Sequence, residues 1–210
     1  GTSGEAPEHI TLVEGPDDKW SIINLMARHG ADWNHDKRLP YVRESGGVDA
    51  LLETAPVVAR SARRLGIVLD ADLRPDSRWQ QLQSRFANIG LQLPATTQLD
   101  GLIINGILPD AQIGIWMMPD NANSGALEDF LAYLVPAADP VWPHARSSTA
   151  DAKALGAPFG NAAKGTIHAW LAWQEPSGMP FGTAITTKAL AHDTPEAIRF
   201  VAWFSRLFLT

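Results

Sequence analysis

The sequence predicts an α/β protein with a mainly parallel sheet and helices on both of its faces. Strand-like and helix-like segments alternate through the first half, the order that builds parallel sheets through right-handed crossovers. Leu65 to Asp70 is apolar almost throughout, as a strand buried on both faces is. Two apolar runs stop at acids: Ile10–Val13 at Glu14-Gly15-Pro16-Asp17-Asp18, and Gly66–Leu69 at Asp70-Ala71-Asp72. In open parallel sheets, side chains at the carboxyl ends of strands converge on the crevice where ligands bind.

The elements follow in order. After the first strand, Asp17 is the expected N-cap of a helix that presents Trp20, Ile23, Met26 and Ala27 on one face and ends at Gly30. Leu39 to Glu44 reads as a short second strand. Val48 to Ala62 has a helical pattern that Pro56 breaks or kinks. Leu65 to Asp70 is the third strand. Asp76 to Ile89 forms a helix with Trp79, Leu82, Phe86 and Ile89 on one side and Gly90 beyond its end. Leu102–Ile104 and Ile113–Met118 are further strands, the latter running into Pro119-Asp120-Asn121. A helix starts near Ser124 or Gly125, Ala137 to Pro143 is loop-like, and helices follow near Ser148–Leu155, Ala162–Trp173 and Thr194–Leu209. Residues 5–136 are thus expected to form the α/β core, and 137–210 a helical C-terminal elaboration packed on the same domain.

Bulk properties narrow the function classes. A chain of 210 residues with 45% hydrophobic content can bury one sizeable core. A net charge of -6 argues against a protein held on DNA or an anionic membrane mainly by a basic surface. With no cysteine there is no disulfide, thiolate zinc site or thiol nucleophile. Neither a secretory signal pattern nor a run of about 18 apolar residues is present. The expected location is therefore cytoplasmic, with no membrane partner. Gly1-Thr2-Ser3-Gly4 is small and polar and is left out of the fold reasoning.

The strand ending in Leu12-Val13-Glu14-Gly15-Pro16-Asp17-Asp18, followed some 50 residues later by one ending in Asp70-Ala71-Asp72, resembles the Toprim domain of topoisomerases, primases, ribosomal-RNA maturation nucleases and overcoming-lysogenization-defect nucleases. From about His9 to Phe208 the chain resembles an uncharacterised bacterial Toprim-like family, which shares runs similar to Val68–Asp72, Met118–Asn121 and Leu127–Phe130. The resemblance implies a Toprim-like, Rossmann-like fold. It also implies Glu14 as general acid/base or metal ligand, and Asp70 and Asp72 as ligands of Mg²⁺ or Mn²⁺. Asp120 and Glu128 come into view as further metal-binding acids. Magnesium takes oxygen ligands and keeps several waters, so two or three carboxylates suffice. Asp70 and Asp72 would share one face if the segment stayed extended.

Lys164-Gly165 before the apolar run Thr166–Ala172 is similar to a lysine-glycine run in the overcoming-lysogenization-defect nucleases, which implies that Lys164 offsets charge on a transferring phosphoryl group. Those nucleases carry an ATPase domain; this chain has no Walker A sequence, since the second glycine of Gly160–Thr166 is not followed by Lys and Ser or Thr. The implied activity is that of a Mg-dependent Toprim-like nuclease or phosphotransfer enzyme on nucleic-acid phosphodiesters. The alternative is a non-catalytic Toprim-like module that binds a nucleotide or a protein partner. Receiver domains of signalling systems also gather acids after their first and third strands, but they are shorter and end in a lysine after a fifth strand that this chain lacks.

Each candidate has a structural alternative. Asp17 and Asp18 suit a helix N-terminus, Asp70 and Asp72 a turn after a strand, Asp120 a Pro-Asp-Asn turn, and Glu128 a first helical turn. Lys164 suits a solvated helix end. The six histidines show no zinc spacing, and His168 reads as a core or boundary residue. Trp170, Trp173 and Trp203 read as core packing. Arg60, Arg63 and Arg64 form the densest basic cluster, read as a solvated helix end with phosphate contact as the alternative.

Overall fold

Residues 8–210 are described by a computed structural model; the Gly1–Gly4 segment and the first residues of the expected core lie outside them. Five strands form one sheet: β1 (His9–Val13), β2 (Tyr41–Glu44), β3 (Arg64–Asp70), β4 (Leu102–Asn105) and β5 (Gln112–Met118). Their order is β2-β1-β3-β5-β4. All neighbouring pairs are parallel except β4 and β5, which are antiparallel. The chain therefore leaves β1 in one direction for β2 and returns past it for β3. This reversal opens a crevice between the carboxyl ends of β1 and β3.

Alternation along the strands divides the core in two. Val13, Val42, Val68 and Trp116 face one layer, and Ile10, Leu12, Ile67, Leu69 and Ile115 face the other. The first layer contains α1 (Pro16–Arg28), α4 (Leu127–Tyr133), α5 (Val141–Ala154), α6 (Ala162–Ala172), α7 (Phe181–Thr186) and α8 (Pro195–Phe208). The second contains α2 (Val48–Val58) and α3 (Pro75–Ala87). Helices thus cover both faces of the sheet.

Helix α8 comes close to β3 and β5 because glycines leave two strand positions beneath it bare. Gly66 and Gly114 are register partners on β3 and β5. A Cβ on Gly114 would come within 2.5 Å of Leu207, and one on Gly66 within 3.3 Å of Phe208. Trp203 fills the same surface and donates its indole N–H to the Leu102 carbonyl at 3.1 Å, so its polar edge is satisfied where water cannot reach. Phe200, Trp203, Phe204 and Leu207 are fully buried, and the C-terminal helix shares the core of the sheet.

Several sequence expectations need correction. The N-cap of α1 is Gly15, not Asp17. Its buried face carries Asp18, Ser21, Ile22, Leu25 and Met26, so the apolar face is rotated from the predicted one and Trp20 is exposed. Helix α2 runs through Pro56 to Val58. Helix α5 starts at Val141, inside the expected loop; Pro143 lies in its first turn, where a missing N–H costs no helical hydrogen bond. The short α7 had no counterpart among the predicted elements. Trp173 is exposed rather than core, and His168 is exposed with its ring 5.0 Å from Phe181. Among the described residues no helix is long and apolar enough to cross a membrane.

Candidate functional site

The crevice between β1 and β3 collects acids from four parts of the chain. Glu14 follows β1, Asp18 enters from the first turn of α1, Asp70 ends β3, and Glu128 comes from α4. The backbone connects them. The Asp70 N–H donates to Glu14 Oε1 at 2.8 Å, the Leu127 N–H to Asp70 Oδ1 at 3.0 Å, and the Gly15 N–H to Asp18 Oδ2 at 3.0 Å. Three carboxylates are thus each tethered through one oxygen to a backbone amide. Asp18 Oδ1 is buried with no hydrogen-bond partner among the described residues, and the whole residue is only 7% exposed.

Glu128 reaches this crevice through a long-range pairing. Asp72 and Gly125 exchange two backbone hydrogen bonds of 2.8 Å each, which binds the turn after β3 to the loop before α4. Gly125 has φ +139, and a Cβ there would lie 2.7 Å from Asp129 Oδ2, so glycine is required on both counts. Asp129 in turn accepts the Ala126 N–H at 2.9 Å and caps α4. Lys164, in the first turn of α6, donates to Glu128 Oε1 at 3.1 Å. Its ammonium is held above its ordinary pKa, chiefly by Glu128 and also by Asp17 and Asp70.

Burial and mutual repulsion dominate the electrostatics. Burial, followed by the charges of Glu14, Asp18, Glu128 and Asp72, pushes the Asp70 carboxyl up to about 9. Burial raises Asp18 to about 7, against the Gly15 amide and with help from Glu14 and Glu128. Glu14 is also raised, by burial first; the Asp70 amide opposes the shift and Asp72 adds to it. Burial and repulsion thus disfavour the charged form of all three carboxyls, a cost that a bound cation would offset.

Two predicted candidates are engaged elsewhere. Asp72 adopts φ 54, so the segment after β3 is not extended and Asp70 and Asp72 do not share a strand face. The Asp72 carboxylate pairs with Arg78, whose Nε also donates to the Asp70 carbonyl at 3.2 Å. Asp120 builds a turn: its Oδ1 accepts the N–H groups of Ala122 and Asn123 at 3.1 and 2.8 Å. Its Oδ2 accepts the Asn123 amide at 2.7 Å and the Tyr133 hydroxyl at 3.0 Å. Partial burial raises the Asp120 carboxyl, but these hydrogen bonds outweigh it and leave the group below its ordinary range.

Asp18 is the site residue missing from the predicted ligand set, where helix capping was the favoured reading. It serves both cap and crevice, since one oxygen caps Gly15 and the other faces inward unpaired. Its signal was spacing: Asp18 precedes buried Ser21, Ile22 and Leu25 by three, four and seven residues, which puts an acid on the buried stripe of a helix. Among the described residues no three Asp, Glu or His side chains already form a metal cage. The donor set nevertheless suits a hard cation: the untethered atoms are carboxylate oxygens, as Mg²⁺ and Mn²⁺ prefer, and the buried Asp18 Oδ1 lacks a partner.

Fold and site define an α/β protein with a buried acidic crevice at the point where its sheet reverses direction. The chain belongs to the family described as "Protein of unknown function (DUF3226)", whose pattern matches residues 8–209. Neither a curated protein nor a solved structure matches it.

Proposed function

We propose that this crevice binds a divalent cation, Mg²⁺ or Mn²⁺, and that the protein is a Toprim-like enzyme acting on nucleic-acid phosphodiesters. The observation that carries this reading is the convergence of Glu14, Asp18, Asp70 and Glu128, with burial and the neighbouring acids raising the Asp70 carboxyl to about 9. When bound, such a cation polarises a phosphoryl oxygen and activates water. The chain's own residues do the rest.

Asp70 and Asp18 would hold the cation through their untethered oxygens, and because their raised carboxyls must be deprotonated to do so, binding would strengthen as pH rises. The Asp70 and Leu127 amides hold Glu14 and Asp70 in orientation, as second-layer donors do around metal sites. Glu14, with a carboxyl raised by burial, suits proton transfer as well as ligation. Lys164 sits at the mouth on Glu128 and supplies the positive charge that a phosphoryl group needs as it transfers. Asp72 contributes through Arg78 and its backbone, which fix the turn that presents Asp70.

The test is cleavage of end-labelled single-stranded and duplex oligonucleotides with Mg²⁺ or Mn²⁺, against an Asp70→Asn variant. Cation-dependent cleavage that the substitution removes is the expected result. Cleavage that survives Asp70→Asn contradicts the assignment. Cation binding without turnover of any oligonucleotide leaves the second reading, a module that binds a nucleotide or a protein without catalysis.

A further inference from the structure

The Arg60 cluster and the β2 edge are not used by the acidic crevice, and a groove lies along the β2 edge. Helix α2 packs on β1 and β3 and leaves that face of the β2 edge uncovered. The result is a groove of about 650 Å³ lined by Tyr41, Arg43, Lys19, Glu44 and Val57, with Ser61 at its far end. Arg60, exposed, is on the same turn as Ser61. At the near end, the loop after Glu44 is fastened to the crevice: the Gly46 and Gly47 N–H groups both donate to the Glu14 carbonyl at 3.0 Å.

The chemistry of the groove differs from that of the crevice. Tyr41 is 58% exposed on an edge strand, and Val57 beside it is 67% exposed. Among the described residues no ion pair or hydrogen bond engages the guanidinium group of Arg43 or Arg60 or the Tyr41 hydroxyl. Lys19 is paired with Glu44 at 3.1 Å, so the two cancel and Arg43 leaves the lining of the groove positive. This occurs on a chain of net charge -6. An open aromatic face beside an arginine whose guanidinium is unpaired suits a single nucleic-acid strand: bases stack on the ring and a phosphate meets the cation.

The spacing agrees. Tyr41 lies opposite Ile10 on β1, four residues before Glu14, which is ~13 Å at ~3.3 Å per strand residue. Stacked nucleotides advance ~3.4 Å each, so a base on Tyr41 would stand about four nucleotides from the acids.

We infer that the β2-edge groove is a positioning subsite that holds a single-stranded nucleic acid through Tyr41 and Arg43 and leads it to the acidic crevice. The inference rests on the nucleic-acid reading proposed above, and it names which strand form is taken and by which residues. Tyr41 and Arg43 are positioning residues, since neither lies among the acids.

The experiment is fluorescence polarisation with a labelled oligothymidylate of about 12 nucleotides, within the ~4–16 nucleotides of known single-strand sites. It is run on the Asp70→Asn chain, which keeps the probe intact, and on Tyr41→Phe, Tyr41→Leu and Arg43→Ala built upon it. Tyr41→Phe is expected to keep the affinity and Tyr41→Leu to lose about tenfold, since stacking needs the ring and not the hydroxyl. Arg43→Ala is expected to weaken binding about tenfold and to lower the salt slope by about one. A duplex of the same length is expected to compete poorly. No binding, equal binding by all variants, or loss in Tyr41→Phe equal to that in Tyr41→Leu overturns the subsite. Titration of Mn²⁺ into the wild-type chain reports on the crevice alone. Probe binding that depends on Tyr41, with no response to Mn²⁺, would keep the subsite and sink the metal reading; Mn²⁺ binding with Tyr41-independent probe binding would do the reverse.

Discussion

Asp70 ends β3 and Asp120 follows β5, the strand beside it, yet their surroundings drive them in opposite directions. Asp70 has one oxygen on the Leu127 amide, four acids around it and a carboxyl raised to about 9. Asp120 spends both oxygens on Ala122, Asn123 and Tyr133 and is lowered. The difference is where each strand stands in the sheet. β3 borders the reversal point beside β1, where Glu14 and α1 bring further acids; β5 is one strand removed. An acid after an apolar strand is therefore a ligand candidate only where strand order leaves a crevice, and elsewhere it is turn chemistry.

The comparison is broken most sharply by removing charge without shape. Asp18→Asn keeps an oxygen for the Gly15 amide and deletes the buried negative charge, so Mn²⁺ affinity should fall by at least about tenfold, the scale of losses around metal sites. Asp120→Asn should leave that affinity within about threefold. Calorimetry on both variants checks this, and equal losses would erase the distinction between the two acids.

Stability against pH gives the next largest effect. An acid raised in the folded state binds its proton more tightly there than in the unfolded chain, so stability falls as pH rises from its unfolded value toward its folded one. For Asp70 and Asp18 that window runs from about 4 up to about 9 and about 7, respectively. The metal-free protein should therefore melt at a higher temperature near pH 5 than near pH 9. Asp70→Asn should raise the melting temperature near pH 8 by ~3 °C or more, at ~2–4 °C per kcal/mol for a chain of this size. Saturating Mn²⁺ should restore wild-type stability by mass action. Asp120 has the opposite sign: its contribution is present above the ordinary carboxylate range and is lost as pH falls through its lowered value. Asp120→Asn should therefore destabilise near pH 7, and progressively less as pH falls below the ordinary carboxylate range. Melting curves across this range separate the two.

The smallest effect concerns Lys164, which competes with any cation for Glu128. Lys164→Met should raise Mn²⁺ affinity about threefold while lowering turnover of any oligonucleotide substrate. Its stability change should stay within about 1 kcal/mol, since the lysine end of the pair is half-exposed. A loss of Mn²⁺ affinity on this substitution would remove Lys164 from the mouth of the site.

Much of the layout was legible because it is local. Alternating elements, the doubly buried run before Asp70 and the acids at strand ends are all properties of adjacent residues, and Glu14 and Asp70 stand at the carboxyl ends of β1 and β3. What escaped depends on distant pairings or on helix phase. The left-handed turn at Asp72 comes from the Gly125 pairing, which no neighbour of Asp72 announces. The engagement of Asp18 required the phase of α1, and with Trp20 placed on the apolar face the acid pointed outward instead of into the crevice. Asp120 looked equivalent to Asp70 because strand order is not written in either motif. Helix α7, six residues long, is too short for a helical period to register.

On the proposed reading the acids of the crevice, and not strand-end acids in general, hold a divalent cation. The most direct measurement is a calorimetric titration of Mn²⁺ into the metal-free wild type, Asp70→Asn and Asp120→Asn. The account predicts binding to the wild type and to Asp120→Asn, and none to Asp70→Asn. No binding to the wild type, or binding that survives in Asp70→Asn, would contradict it.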